Sequence, residues 1–93
     1  MNPQDLQVFV AVYEHRGFTR AAHALGTVQS NVSKHIRNLE RSLGVRLFVR
    51  RYHAVVPTEA GEKLYVQAKQ ALAMLDSAER DIKARKPPDS PQE

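Results

Sequence analysis

Residues 28–43 read VQSNVSKHIRNLERSL. Val32, Ile36, Leu39 and Leu43 recur at spacings of 4, 3 and 4, which lines them up as one apolar stripe on an α-helix. At about 100° per residue, the opposite face carries Ser30, Lys34, Arg37 and Arg41, with Gln29 and Ser33 flanking it. One side of this helix is built to be buried. The other presents cations and short hydrogen-bonding side chains, as does a helix that packs on a small core and enters the major groove of DNA. An ordinary surface helix with a solvated basic face fits this stretch equally well when it is taken alone, so the flanking chain has to decide between the two.

Upstream, the chain predicts two more helices. Asn2 or Pro3 opens the first, since proline in a first turn loses no hydrogen bond. Leu6, Phe9, Val10 and Tyr13 then recur at helical spacing, with Val12 widening the stripe. Gly17 is the expected left-handed stop, and Thr19 the expected N-cap of the second helix. Arg20 falls in that helix's first turn, where a cation opposes the helix dipole unless a phosphate docks there; plain solvent exposure is the alternative. Ala21, Ala22 and Leu25 form the face to be buried, and Gly26 ends the helix. A connection as short as Gly26–Val28 holds two helices at a steep angle, as in a helix-turn-helix unit. Gly44 closes the third helix, so each of the three is followed by a glycine.

Downstream, VRLFVRRYHAVVPT supplies strand formers Leu47, Val49, Val55 and Val56 on either side of Arg50–Ala54. This predicts a two-stranded wing with a basic tip able to reach the sugar-phosphate backbone or the minor groove. A structural hairpin with solvated arginines is the plainer alternative. Thr58 then caps a helix running to about Arg85, roughly 40 Å at 1.5 Å per residue. Leu64, Ala68, Ala71, Leu75, Ala78 and Ile82 are spaced 4, 3, 4, 3 and 4 along it, a heptad-like seam. A helix that long outruns a small core, and the same helix of a second chain is the simplest cover for its seam. Folding back on its own domain is the alternative. Gly61, in the first turn, weakens the helix by up to about 1 kcal/mol against alanine, which points to close backbone packing. Pro87 and Pro88 stop the helix, and the polar, proline-rich tail is expected to be disordered or a linker stub. The expected division is therefore 1–57 for the winged domain, 58–86 for the linker helix and 87–93 for the tail.

The bulk properties agree with this division. Ninety-three residues with 42% hydrophobic side chains make one small domain and an appendage, with no room for a cleft between two domains. No apolar run could cross a membrane, the amino terminus does not resemble a signal peptide, and there is no cysteine for a disulfide or thiolate site. A cytoplasmic location fits. Charge is unevenly spread. Residues 1–57 hold eight Lys and Arg against three Asp and Glu, a net +5, and residues 58–93 hold six against seven, a net −1. A basic front suits a polyanionic partner.

Three motifs now stand in order: F-T-x-A-A-x-x-L-G from Phe18, Q-S-x-V-S-x-x-I-x-x-L-E-x-x-L-G-x-x-L-F-x-R from Gln29, and P-T-x-A-G from Pro57. Over residues 1 to about 86 the chain resembles the DNA-binding domain of LysR-type transcriptional regulators. The resemblance implies a mainly α fold, a winged helix-turn-helix of three helices and a two-stranded wing, followed by a linker helix that pairs antiparallel with its mate in a homodimer. It implies Gln29, Ser30, Ser33 and Lys34 as major-groove readers, with Arg37 one turn on reaching a base or phosphate. Thr19, Arg50 and Thr58 match phosphate-contacting positions. Arg20, Arg41, Arg51 and His53 complete the expected contacts to backbone or minor groove. The family often has Ser at position 28, Pro at 30, Arg at 34 and Arg at 53. Here Val28 cannot cap, so Thr27 is expected to start the helix slightly earlier. With His53 in place of arginine, either Arg51 substitutes at the wing or its contacts are weaker and pH-sensitive. An effector-binding domain normally follows. This chain stops where the hinge would begin, which implies a longer parent, with any small-molecule effector acting only through that further domain.

Other functions fit less well. Ser33 and His35 stand two residues apart on a helix and do not face each other, so they make no nucleophile–base pair. His15, His23, His35 and His53 lie on different elements without ligand spacing, and no metal or cofactor is expected. His35 and His53 read instead as polar surface groups. Tyr52 alone offers no stacking platform for RNA. A pure dimerisation module would explain the seam but neither basic feature. The expected activity is thus sequence-specific binding of promoter DNA at an inverted repeat by a two-fold dimer.

Overall fold

The computed structural model describes residues 1–85; the expected tail, 87–93, lies outside the described residues. Four helices and one hairpin follow in order: α1 (Pro3–His15), α2 (Phe18–Leu25), α3 (Gln29–Leu43), β1 (Phe48–Arg51), β2 (Ala54–Pro57) and α4 (Glu59–Ala84). This is a winged helix-turn-helix with a long terminal helix.

Local chemistry sets the helix ends, in places differently from expectation. Asn2 caps α1, its Oδ1 accepting from the Asp5 amide at 2.8 Å, with proline in the first turn. The left-handed stop is Arg16, at φ 55, while Gly17 is extended at φ −174. A non-glycine residue in that conformation costs roughly 1–2 kcal/mol. Gly17 occupies the N-cap of α2, so Thr19 lies inside the helix and does not cap it. Leu25, expected on the buried face, stays 42% exposed, and Ala21 and Ala22 are the buried residues of α2. Gly26 and Gly44 are left-handed, as expected. Val28 is the uncapped N-cap of α3. Thr27 does not take over, because its Oγ1 accepts instead from Asn31 Nδ2 at 3.1 Å.

The hairpin is antiparallel, with Arg51 opposite Ala54. Its turn is therefore only Tyr52 and His53, and Arg50 and Arg51 belong to a strand rather than to the tip. Both turn residues have positive φ, 51 and 66, as a two-residue type I′ turn requires.

The core gathers Phe9 and Val12 of α1, Ala21 and Ala22 of α2, and Val32, Ile36 and Leu39 of α3. Leu47, Phe48, Val55 and Ala68 close it from the wing and α4. Phe48 packs against Phe9 at 5.4 Å and edge-on to Phe18 at 6.3 Å. His35 is not a surface group: its Nδ1 lies 2.7 Å from Oδ1 of the buried Asp5, tying α3 to α1.

The seam of α4 divides in two. Leu64 packs on the core and Ala68 is fully buried in its own chain, so these two do not wait for a second chain. Beyond the body, Met74, Leu75 and Ile82 stand 74%, 49% and 71% exposed. Two crossed Tyr–Glu bonds fasten the docked half: Tyr13 donates to Glu62 and Tyr65 to Glu14, each at 2.5 Å, with the rings stacked at 3.7 Å. The carboxylate acceptors push both phenols above the ordinary tyrosine range, while the Tyr65 hydroxyl and then Lys69 hold Glu14 below the usual carboxylate range. Gly61 shows why α4 starts with a glycine in its first turn. A β-carbon there would lie 2.3 Å from the Leu47 carbonyl oxygen.

Gly61→Ala should therefore destabilise the domain by about 1–3 kcal/mol, despite alanine's better helix propensity. Urea denaturation checks it; a gain of up to about 1 kcal/mol would mean that the backbones part without cost.

Candidate nucleic-acid interface

The outer face of α3 is free, with Gln29, Ser30, Lys34, Arg37 and Arg41 exposed and Ser33 half-buried. Two concavities join this face to the rest of the fold. A groove between α3 and the wing is lined by the polar side chains of Gln29, Ser33, Arg37, Glu40, Arg46 and Arg50 together with apolar residues that include Phe18 and Phe48. A second depression, between the wing and the α1–α2 corner, gathers Arg16, Thr19, Arg20, Gln29, Arg50 and His53. Gln29 and Arg50 line both, so the outer face of α3 and the wing form one continuous surface rich in cations. Side chains alternate along a strand, which puts Arg50 in the concavities and Arg51 outside them. Ser30, Lys34 and Arg41 lie outside both concavities, on the open face of α3.

Thr58 is the exception among the expected phosphate contacts. Its hydroxyl accepts from the Gly61 amide at 3.1 Å and donates to the Arg46 carbonyl at 2.7 Å, and its amide donates to the Leu47 carbonyl at 2.9 Å. A phosphate oxygen needs a donor, and both of Thr58's are already used.

Helix ends add to the positive field. α1 and α4 begin with capping side chains and acidic first turns. α2 and α3 have neither, which leaves free amides and the positive dipole ends of both helices. Thr19 and Gln29, from these two first turns, line the same depression.

Three residues of this surface escaped the sequence reading. Arg16 and Arg46 line the concavities; Arg46 follows Gly44 closely, and its place in a run of basic residues was the available signal. Glu40 is the third. Its Oε2 accepts from the Leu47 amide at 2.7 Å and the Phe48 amide at 3.4 Å, with Arg46 Nε at 3.6 Å. A lone acid on an otherwise basic helix was the clue to that structural post.

The chain matches the family model described as bacterial regulatory helix-turn-helix protein, lysR family, over residues 3–62. It is 41% identical over 91 residues to the HTH-type transcriptional regulator YofA of Bacillus subtilis (strain 168), covering 98% of this chain and 32% of that protein. It is 52% identical over 78 residues to the HTH-type transcriptional regulator BudR of Raoultella terrigena, covering 84% of this chain and 27% of that one. The chain thus spans about a third or less of these relatives. Among solved structures, the protein in the BenM DBD/catB site 1 DNA complex superposes with a TM-score of 0.87 at 36% identity, covering 90% of this chain and 94% of that one.

Glu40→Ala should cost about 1–3 kcal/mol, the penalty for orphaning a buried amide. It should also speed hydrogen exchange at Leu47 more than at α1 amides. Unchanged exchange at Leu47 would show that the wing base holds without this carboxylate.

Proposed function

Because the chain belongs to the lysR family of bacterial regulatory helix-turn-helix proteins, a family of transcriptional regulators and not of enzymes, we propose that it binds duplex promoter DNA sequence-specifically as a homodimer. The observation that carries this reading is the continuous basic surface of α3 and the wing, on a fold that superposes closely on a domain solved with DNA. α3 enters the major groove. Gln29 suits a bidentate bond to adenine and Lys34 donation to guanine N7 and O6, with Ser30, Ser33 and Arg37 beside them. Thr19, Arg20, Arg41, Arg50, Arg51 and His53 hold the backbone or minor groove and set the register. Residues 1–57 are the reading unit.

From Thr58 onward the helix joins copies. Ala71, Leu75, Ala78 and Ile82 make the contact, together with Met74, whose exposure was not anticipated. A two-fold dimer reads a two-fold site, so the target is an inverted repeat. No helix among the described residues is long and apolar enough to cross a membrane, and a chromosome-reading protein works at the cytoplasmic nucleoid. Effector control belongs to the remainder of a regulator of the relatives' length.

Selection from random duplex DNA, with stoichiometry read by sedimentation, tests the whole reading. An inverted repeat bound by two chains is expected; no binding to any duplex would leave dimerisation as the module's only role. Lys34→Ala should weaken the selected site by about 1–3 kcal/mol, roughly 5- to 150-fold, and mixed-sequence DNA far less. An equal loss on both would count against base reading. Leu75→Asp should give monomers in sedimentation, and an unchanged dimer would place the interface elsewhere.

A further inference from the structure

The depression between the wing and the α1–α2 corner is lined by Arg16, Arg20, Arg50 and His53, with Thr19 and Gln29, and by no acidic side chain. None of the three arginines pairs with a carboxylate among the described residues. Arg16 and Arg20 are nevertheless held in place. Arg16 is held left-handed beside an extended glycine, with its guanidinium 4.8 Å from the Tyr13 ring centre. Arg20 lies across Gly17, where a β-carbon would come within 3.3 Å of its Nε, and its Nη2 donates to the Arg16 carbonyl at 3.2 Å. His53 is delivered from the wing by the left-handed turn it shares with Tyr52. Positioned cations facing one concavity with no counter-charge make a seat for an anion.

We infer that this depression seats one backbone phosphate of duplex DNA, with Arg16 among its ligands, and that His53 is its titratable ligand, so that binding takes up a proton. The inference rests on the DNA reading proposed above. The arginines keep their charge at any working pH, whereas imidazole changes charge across the physiological range. In the free chain His53 shares the depression with Arg16 and Arg20 of the α1–α2 corner and Arg50 of the wing, all positive, and with no acidic side chain. A docked phosphate supplies the missing opposite charge, which favours the protonated ring. Proton uptake on binding makes affinity rise as pH falls.

Proton uptake shows as a pH dependence of affinity. On the duplex recovered by selection, or on the mixed-sequence pool if none is recovered, affinity is measured at fixed salt from about pH 8 to about pH 5.5. Wild-type affinity should rise as pH falls, by up to about tenfold per pH unit for each bound chain. His53→Asn, a residue that tolerates the left-handed turn, should lose that rise and stay at the weaker level. His53→Arg should stay at the stronger level throughout. His15, His23 and His35 are present in every variant, so the difference between variants isolates position 53. A wild-type affinity that does not change with pH, or a rise that survives undiminished in His53→Asn, would overturn the inference while DNA binding stands. No binding at either pH would overturn the proposed function, and this inference with it.

Discussion

The backbone of Leu47 is bonded in both directions. Its amide goes to the Glu40 carboxylate at the end of α3, and its carbonyl takes the Thr58 amide at the start of α4. One residue earlier, the Arg46 carbonyl takes the Thr58 hydroxyl. The Leu47 side chain is 1% exposed, and Gly61 presses its backbone against the same carbonyl. Buried backbone groups must be bonded, and here each bond runs to a different functional part. α3, the wing and α4 are therefore fastened at one point, in addition to the core they share.

This joint gives the division of α4 its meaning. Gly61, Leu64, Tyr65, Ala68 and Leu72 lie against the body, and the crossed Tyr13–Glu62 and Tyr65–Glu14 bonds brace that half. The other half projects, giving the molecule its 57 Å length against 25 and 20 Å in the other directions. Since the docked half is rigidly tied to α3 through Leu47, the projecting half leaves the body in a set direction. In the proposed dimer, that direction sets the distance between two recognition helices. Spacing on DNA would then be a property of the body's packing as much as of the contact between the helices.

Periodicity was enough to read the four helices, because an apolar stripe at 3.6 residues per turn needs no knowledge of its partner. It does not say what covers a stripe, so the heptad seam predicts a dimer contact at Ala68, which the chain's own core buries. Cap rules failed by one residue at Arg16 and Gly17, where the chain accepts strain that a glycine one place earlier would avoid. Strand propensity cannot fix a register, so it predicts a tip of five residues, 50–54, where the pairing of Arg51 with Ala54 leaves a turn of two. Asp5 and His35 stand 30 residues apart, and nothing local announces their contact. The expected bases of recognition, from Gln29 to Arg37, were legible as a face opposite an apolar stripe. Arg16 and Arg46 were not, since loop cations join a surface only once the fold brings them to it.

Charge on this surface depends on where the acids go as well as on how many cations there are. The front segment, 1–57, has only Asp5, Glu14 and Glu40, and each is engaged inside the chain. Asp5 meets His35, Glu14 takes the Tyr65 hydroxyl and Lys69, and Glu40 takes the wing amides and Arg46. Each of these partners is a structural joint: α1 to α3, α1 to α4, and α3 to the wing. None of them forms an ion pair with Arg37, Arg41 or Arg50 among the described residues. The same three carboxylates that brace the fold thus leave the basic face unopposed, so that rigidity and the positive field arise from one arrangement of side chains.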